Sequence, residues 1–143
     1  MNKKNIKYLL VLFFYINLVN FVQAEEHYFA EGKKLFNSKK YEDAKFKFEK
    51  DIVFNPKNEK SYLYLAKIFN KIEKQNLEES NLNTVILLNP KNEEAIYHLA
   101  LLSIKKSNFS RAKELIQNLD IVCKNFCIFK EELENELNNS LKQ

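Results

Sequence analysis

The peptide NPKNE occurs twice in this chain, and the spacing of its two copies limits the folds that the chain can adopt. The copies occupy residues 55–59 and 89–93, which places them 34 positions apart (89 − 55), and they contain the only two prolines. A period of this length is typical of stacked helix–turn–helix repeats, whereas β-rich folds need turn residues much more often. The spacing therefore predicts an all-α protein built from successive pairs of helices.

Apolar residues recur at three- and four-residue steps around these peptides, which is the spacing that lets a helix bury one side. Three frames of the same length begin at residues 25, 59 and 93. A small residue occupies the same position in each frame, where antiparallel helices can approach closely: Gly32, Ala66 and Ala100. Proline cannot continue a helix, so Pro56 and Pro90 are predicted to separate one helix pair from the next.

The segment KKYEDAKFKFEKDIVFNPKN, at residues 39–58, resembles the second half of the tetratricopeptide repeat (TPR), a helix pair of this length. SNFSRAKELI, at residues 107–116, resembles it more loosely. The second frame has Gln75 and Glu78 where the family has an aromatic residue and alanine, and Asp51 occupies a position that is usually small. The resemblance implies an all-α, right-handed α-solenoid of TPR repeats.

Three repeats are predicted at residues 25–58, 59–92 and 93–125, followed by a capping helix at residues 126–142. A stacked array must end on an element that is apolar inside and polar outside. The last segment has such an apolar stripe, formed by Phe126, Phe129, Leu133, Leu137 and Leu141. Residues 25–142 are therefore predicted to form one TPR domain.

Residues 1–24 have the pattern of a secretory signal peptide. Lysines at positions 3, 4 and 7 precede an apolar run at residues 8–22, and Ala24 is followed by the acidic Glu25. The run is short for a membrane span, so we expect cleavage between Ala24 and Glu25, with an uncleaved membrane anchor as the alternative. The mature protein is thus predicted to be exported, either periplasmic or secreted. It would carry 23 − 3 = 20 basic and 19 acidic residues, which gives no reason to expect nucleic-acid binding.

Cys123 and Cys127 are the only cysteines, and they flank the junction between the third repeat and the cap. Disulfides can form in an exported protein. On an unbroken helix their α-carbons would lie near the upper limit of disulfide geometry, which a turn at residues 124–126 would relieve. A disulfide and two buried thiols are both open alternatives, while metal binding has little support because no second Cys/His pair is present.

Residues that could support catalysis are sparse. Gly32 is the only glycine, so there is no glycine-rich phosphate loop, and the only two histidines, His27 and His98, do not form a metal-binding motif. The chain is predicted not to be an enzyme, to need no cofactor or metal, and to have no small-molecule substrate.

In the TPR family, the first helix of each pair lines a concave surface that binds partner proteins. The matching positions here carry apolar side chains interleaved with lysines and one histidine: Phe29, Lys33, Phe36, Leu63, Tyr64, Lys67, Lys71, Tyr97, His98, Leu101 and Lys105. Such a surface suits a protein or peptide segment that is apolar and acidic, unless the lysines are simply solvated and the aromatic residues belong to the core. The resemblance implies an adaptor or scaffold. The alternative is an envelope assembly component that oligomerises or remains membrane-anchored.

Some family members bind the acidic tails of chaperones through a clamp of basic and amide side chains. The clamp positions in this sequence are Phe29, Lys33, Tyr64, Glu94 and His98. Only one of these residues, Lys33, carries a full positive charge at neutral pH. Binding to chaperone tails is therefore not predicted.

Overall fold

This computed structural model describes residue 8 and residues 27–142, and the chain divides into two compact units, Met1–Pro56 and Lys57–Gln143. The first unit contains α1 (27–37) and α2 (Tyr41–Phe54). The second contains α3 (Glu59–Lys71), α4 (Gln75–Leu88), α5 (Glu93–Lys105), α6 (Phe109–Val122) and α7 (Lys130–Ser140). No strand lies within the described residues, so the predicted all-α class is confirmed. The predicted cleavage point at residues 24 and 25 falls outside that range. None of the described helices is long and apolar enough to cross a membrane.

The two helices of each pair are joined by the same left-handed turn, although the residues at its centre differ. Lys39, Glu73 and Ser107 have φ angles of 59°, 57° and 56°. After each of them, the next amide donates to a carbonyl five residues earlier, as Asn108 does to Ser103 over 2.8 Å. This is the Schellman ending of a helix, in which glycine is the usual left-handed residue. None of the three positions is glycine, so each turn carries backbone strain.

Each NPKNE peptide ends one helix and begins the next. In the second copy, Asn89 follows the last residue of α4 and Asn92 precedes the first residue of α5. The Oδ1 atom of Asn92 accepts a hydrogen bond from the Ala95 amide over 3.0 Å, which satisfies one of the free donors at the start of the helix. The Lys91 amide donates to Asn89 Oδ1 over 3.1 Å, which closes the turn around Pro90. The peptides are therefore joints between helix pairs, as the sequence predicts.

The first unit shows why its small residues are needed. Gly32 and Ala44 are buried, and a β-carbon added to Gly32 would lie only 2.7 Å from Cε1 of Phe48. The Phe48 ring is itself fully buried and packs 5.9 Å, between ring centroids, from Phe29. Asp51 is also fully buried, at the position that the resemblance identified as usually small.

The core of the second unit extends from α3 to α7. Ala66, Ala100 and Ala112 are almost completely buried where the helices approach. The cap contributes Leu133 and Leu137, which are 0% and 5% exposed. Its α-helix begins at Lys130, after a 3₁₀ turn at Cys127–Phe129, rather than at residue 126. Leu141 lies just beyond the end of α7 and is 47% exposed, so the buried part of the predicted stripe ends at Leu137.

The junction between α6 and the cap contains a disulfide. Cys123 follows the last residue of α6, the chain bends at residues 124–126, and Cys127 begins the 3₁₀ turn. The α-carbons of Cys123 and Cys127 lie 5.3 Å apart, within the range that a disulfide accommodates. The bend occurs at the residues where a turn was expected to bring the two cysteines together.

Candidate functional site

Lys67 and Glu94 form an ion pair that joins α3 to α5, the first helices of two successive pairs. The Lys67 ammonium also lies 5.1 Å from the centroid of the Tyr64 ring, close enough for a cation–π contact. On the other side, the His98 Nε2 atom is 3.9 Å from Glu94 Oε1. The structure thus brings three of the predicted binding residues, Tyr64, Lys67 and His98, together around a carboxylate.

Helical spacing extends this group of side chains along both helices. Lys71 lies one turn after Lys67 on α3, and Leu101 and Lys105 follow His98 on α5 at steps of three and four residues. We call this surface the α3–α5 face, and it consists of Tyr64, Lys67, Lys71, Glu94, His98, Leu101 and Lys105. Lys71 and Lys105 are exposed, while the other five are partly buried. The face therefore combines a fixed, half-buried centre with two solvated cations.

The neighbouring side chains of His98 and Lys67 favour the charged form of Glu94. The imidazole of His98 and then the ammonium of Lys67 lower the pKa of Glu94 from 4.5 to about 2, against the opposing effect of burial. The Lys67 charge is correspondingly compensated within the protein. In the sequence, Glu94 stands out only as a departure from the chaperone-tail clamp. Its position one helical turn before His98 is the one signal there of its place in this face.

Tyr97 lies at the boundary between this surface and the cap. Its ring centroid is 5.7 Å from that of Phe126 and 5.2 Å from that of Phe129, and its hydroxyl donates to Glu132 Oε1 over 3.4 Å. Burial, followed by the charge of Glu132, raises the pKa of Tyr97. Tyr97 therefore helps to attach the cap to α5.

The remaining predicted binding residues are placed differently. Leu63 is only 7% exposed and belongs to the core of the second unit, because its side of α3 is covered by packing. In the first unit, Phe29 packs on Phe48, and the Phe36 ring lies 5.6 Å from the Tyr41 ring. Lys33 is exposed. The two phenylalanines are thus partly core residues, which was the alternative interpretation of the aromatic positions.

Glu78 is an unexpected buried carboxyl group next to the α3–α5 face. It is 3% exposed, and its Oε1 atom accepts a hydrogen bond from the Asn70 side chain over 2.9 Å. Burial raises the pKa of Glu78, although Asn70, His98 and Lys105 oppose that effect. Glu78 occupies the position at which the TPR consensus has alanine. Within the part of the chain that the structure describes, no cluster of His, Cys, Asp and Glu residues could hold a metal ion.

No protein-family model matches the sequence, and no curated protein matches it. Solved structures do match. The first TPR domain of Spaghetti (RPAP3), bound to the HSP90 peptide SRMEEVD, has a TM-score of 0.75 and 20% identity, over 85% of this chain and 95% of that chain. The Yersinia enterocolitica type III secretion chaperone SycD, in complex with a peptide of the translocator YopD, has a TM-score of 0.71 and 18% identity, over 82% and 92% of the two chains. The TPR2B–pHsp70 complex of yeast Sti1 has a TM-score of 0.72 and 18% identity, over 85% and 98%.

These similar structures are protein-binding domains and a secretion chaperone, and none is described as an enzyme. Their folds correspond to the all-α architecture described above. Because the sequence identity is 20% or less, this similarity supports the fold and not a function. This chain has the fold of tetratricopeptide-repeat domains, an α-solenoid of helix pairs.

Proposed function

We propose that this protein is an interaction adaptor whose α3–α5 face binds a short segment of a partner protein. The observation that carries the proposal is the Lys67–Glu94 ion pair, because it fixes side chains of two successive helix pairs in one surface before a partner arrives. A preformed surface loses little conformational entropy on binding. Structures of the same fold with bound peptides support this assignment.

The chemistry of the face favours an apolar segment that carries an acidic residue. Tyr64 and Leu101 offer partly exposed apolar surface, and the exposed Lys71 and Lys105 offer positive charge. Lys67 is already neutralised by Glu94, so a partner carboxylate would pair with Lys71 or Lys105 instead. Glu94 would repel a carboxylate placed at the centre of the face, which is consistent with the prediction that chaperone tails do not bind.

Selection from a random-peptide display library tests the proposal, because it does not require the partner to be identified first. Enriched peptides should contain apolar and acidic residues, and the Tyr64→Ala substitution should weaken their binding by about ten-fold. Lys71→Glu combined with Lys105→Glu should remove the preference for acidic residues. Tyr97 is left unchanged because it also attaches the cap.

Lys113→Glu is the matched control, since Lys113 is an exposed lysine on α6, away from the face. All variants should retain the helical circular-dichroism spectrum of the wild type. If the selected peptides bind the folded Tyr64 and lysine variants as tightly as the wild type, the α3–α5 face is not the binding surface.

We further propose that the adaptor acts after export, as a periplasmic or secreted protein. The support is the order of basic, apolar and small residues in positions 1–24 of the sequence. N-terminal sequencing of protein purified from its native host should give a chain that begins at Glu25. A chain that begins at Met1 and fractionates with membranes would instead support the anchored alternative.

A further inference from the structure

Large aliphatic side chains are exposed near the C-terminal ends of α4 and α6. Leu87 is 81% exposed and Ile121 is 83% exposed, and they are 34 residues apart (121 − 87), at the same position of successive helix pairs. Val53, 76% exposed, holds the equivalent position within the first unit. Two residues before each of the first two, Val85 and Leu119 are fully buried, so the exposed side chains point away from the core. Isolated exposed aliphatic residues are ordinary, but these residues are not isolated, because they recur at one position of the repeat.

Hydrogen bonds between the junctions align these helix ends along one side of the second unit. Glu59, at the start of α3, accepts hydrogen bonds from the side chains of Asn89 and Asn92 in the junction that follows α4. Glu93, at the start of α5, accepts hydrogen bonds from the amides of Asn125 and Phe126 in the junction that follows α6. Successive junctions therefore lie next to one another. We call this side the junction edge, and it presents Lys57, Leu87, Lys91, Ile121, Lys124 and Ile128.

Positive charge accompanies the apolar side chains on the junction edge. Lys57, Lys91 and Lys124 are exposed, and no ion pair involves them among the residues that the structure describes. The acids nearest to them in sequence have other partners, although the backbone amide of Lys124 and, more weakly, the Lys124 charge lower the pKa of Glu93. Glu59 and Glu93 accept the junction hydrogen bonds. Asp120, beside Ile121, pairs with Lys130 over 2.9 Å.

We propose that the junction edge binds the surface of an anionic lipid bilayer. Lysine is depleted from protein–protein interfaces, whereas at a membrane its ammonium can stay among the lipid headgroups while neighbouring aliphatic side chains enter the acyl boundary. The alternation of exposed lysines with Leu87, Ile121 and Ile128 fits a membrane better than a protein partner. The edge uses none of the residues of the α3–α5 face, so both surfaces can be occupied together.

Sedimentation of the full-length chain with vesicles tests the proposal. Phosphatidylcholine vesicles containing phosphatidylserine are compared with vesicles of phosphatidylcholine alone. Lys91→Gln and Lys124→Gln should each weaken binding to the anionic vesicles by about five-fold. Leu87→Gln combined with Ile121→Gln should weaken it further. Matched controls are Leu77→Gln, another exposed leucine of α4, and Lys113→Gln on α6, both of which should bind like the wild type.

A second measurement separates the junction edge from the apolar run at residues 8–22, which would bind any vesicle if it is retained. An environment-sensitive dye attached through Ile121→Cys should shift to the blue when anionic vesicles are added, whereas the same dye attached through Lys113→Cys should not. The proposal is overturned if the dye at position 121 stays in water while the protein is vesicle-bound. It is also overturned if the Leu87 and Ile121 substitutions dissociate an oligomer without changing vesicle binding, because the edge would then be a protein interface.

Discussion

The side-chain amide of Asn89 donates a hydrogen bond to Glu59 Oε1 over 3.0 Å, which connects the two NPKNE peptides directly. Asn92 reaches the same oxygen over 3.4 Å. The final glutamate of one copy therefore binds the asparagines of the next. The second copy ends in Glu93, and the junction that follows α6 has a different sequence. There the backbone amides of Asn125 and Phe126 donate to Glu93 over 2.8 and 2.9 Å. The repeated peptide thus links successive helix pairs as well as separating them.

Removing the Glu59 carboxylate should destabilise the second unit. Glu59→Ala should lower the free energy of unfolding by about 1–2 kcal/mol, because Asn89 and Asn92 lose their shared acceptor. Urea denaturation measures the change, and Glu114→Ala, at an exposed position of α6, is the control. A double-mutant cycle with Asn89→Ala should show coupling, and strictly additive effects would contradict the link.

Glycine at a left-handed turn position should stabilise the protein. Ser107→Gly should raise the free energy of unfolding by about 0.5–1 kcal/mol. Glycine adopts the positive φ of 56° at this position without the steric strain that a β-carbon causes. Ser107→Ala keeps a β-carbon and should bring no such gain. Thermal and urea unfolding of both variants provide the comparison, and an equal response to glycine and alanine would show that the turn carries no strain.

The ion pair of the α3–α5 face should contribute to stability in a defined pH window. The pKa of Glu94 is lowered from 4.5 to about 2 in the folded protein, so its contribution is complete above pH 4.5 and is lost as the pH falls toward 2. At neutral pH, Glu94→Gln should be less stable than the wild type by about 1 kcal/mol, since the pair is partly exposed. Urea titrations across that window should show the difference vanish, and a constant difference would contradict the assignment.

The buried carboxyl group of Glu78 should have the opposite pH dependence. Burial raises its pKa, so the wild type loses stability as the pH rises from the ordinary value through the folded one. Glu78→Gln keeps an oxygen for the Asn70 hydrogen bond and removes the buried charge. It should match the wild type at acidic pH and be more stable at neutral pH, which unfolding curves at a series of pH values can measure. A variant that is less stable than the wild type at neutral pH would show that the charge is favourable there.

The disulfide at the cap junction can be tested by mass spectrometry. The oxidised chain should gain about 2 Da on reduction, as two thiols replace the bridge. Replacing both Cys123 and Cys127 by serine should lower the melting temperature only slightly, because the closed loop is very short. An unchanged mass after reduction of the natively purified protein would mean that the thiols are free.

Much of the helical framework follows from local chemistry. Proline explains why helices end at Asn55 and Asn89. Small residues explain the close approach of helices at Ala66 and Ala100, and apolar spacing explains the number of helix pairs. The left-handed turns were not recognised because Lys39, Glu73 and Ser107 lack the glycine that normally marks them. The only signal of these turns in the sequence is that the three residues occupy the same position of the 34-residue repeat.

The candidate site was predicted less completely. Helical spacing assigns a residue to a face, but whether a residue at the edge of that face is covered depends on the neighbouring helices. Leu63 is therefore buried and Tyr97 packs on the cap, while Tyr64 and His98 remain partly exposed. Pairs that join separate helices, such as Lys67 with Glu94 and Asn89 with Glu59, form only when successive pairs stack. The periodic sequence specifies the helices because their hydrogen bonds and caps are local; the side-chain pairs that distinguish one repeat from the next arise from contacts between residues about 30 positions apart.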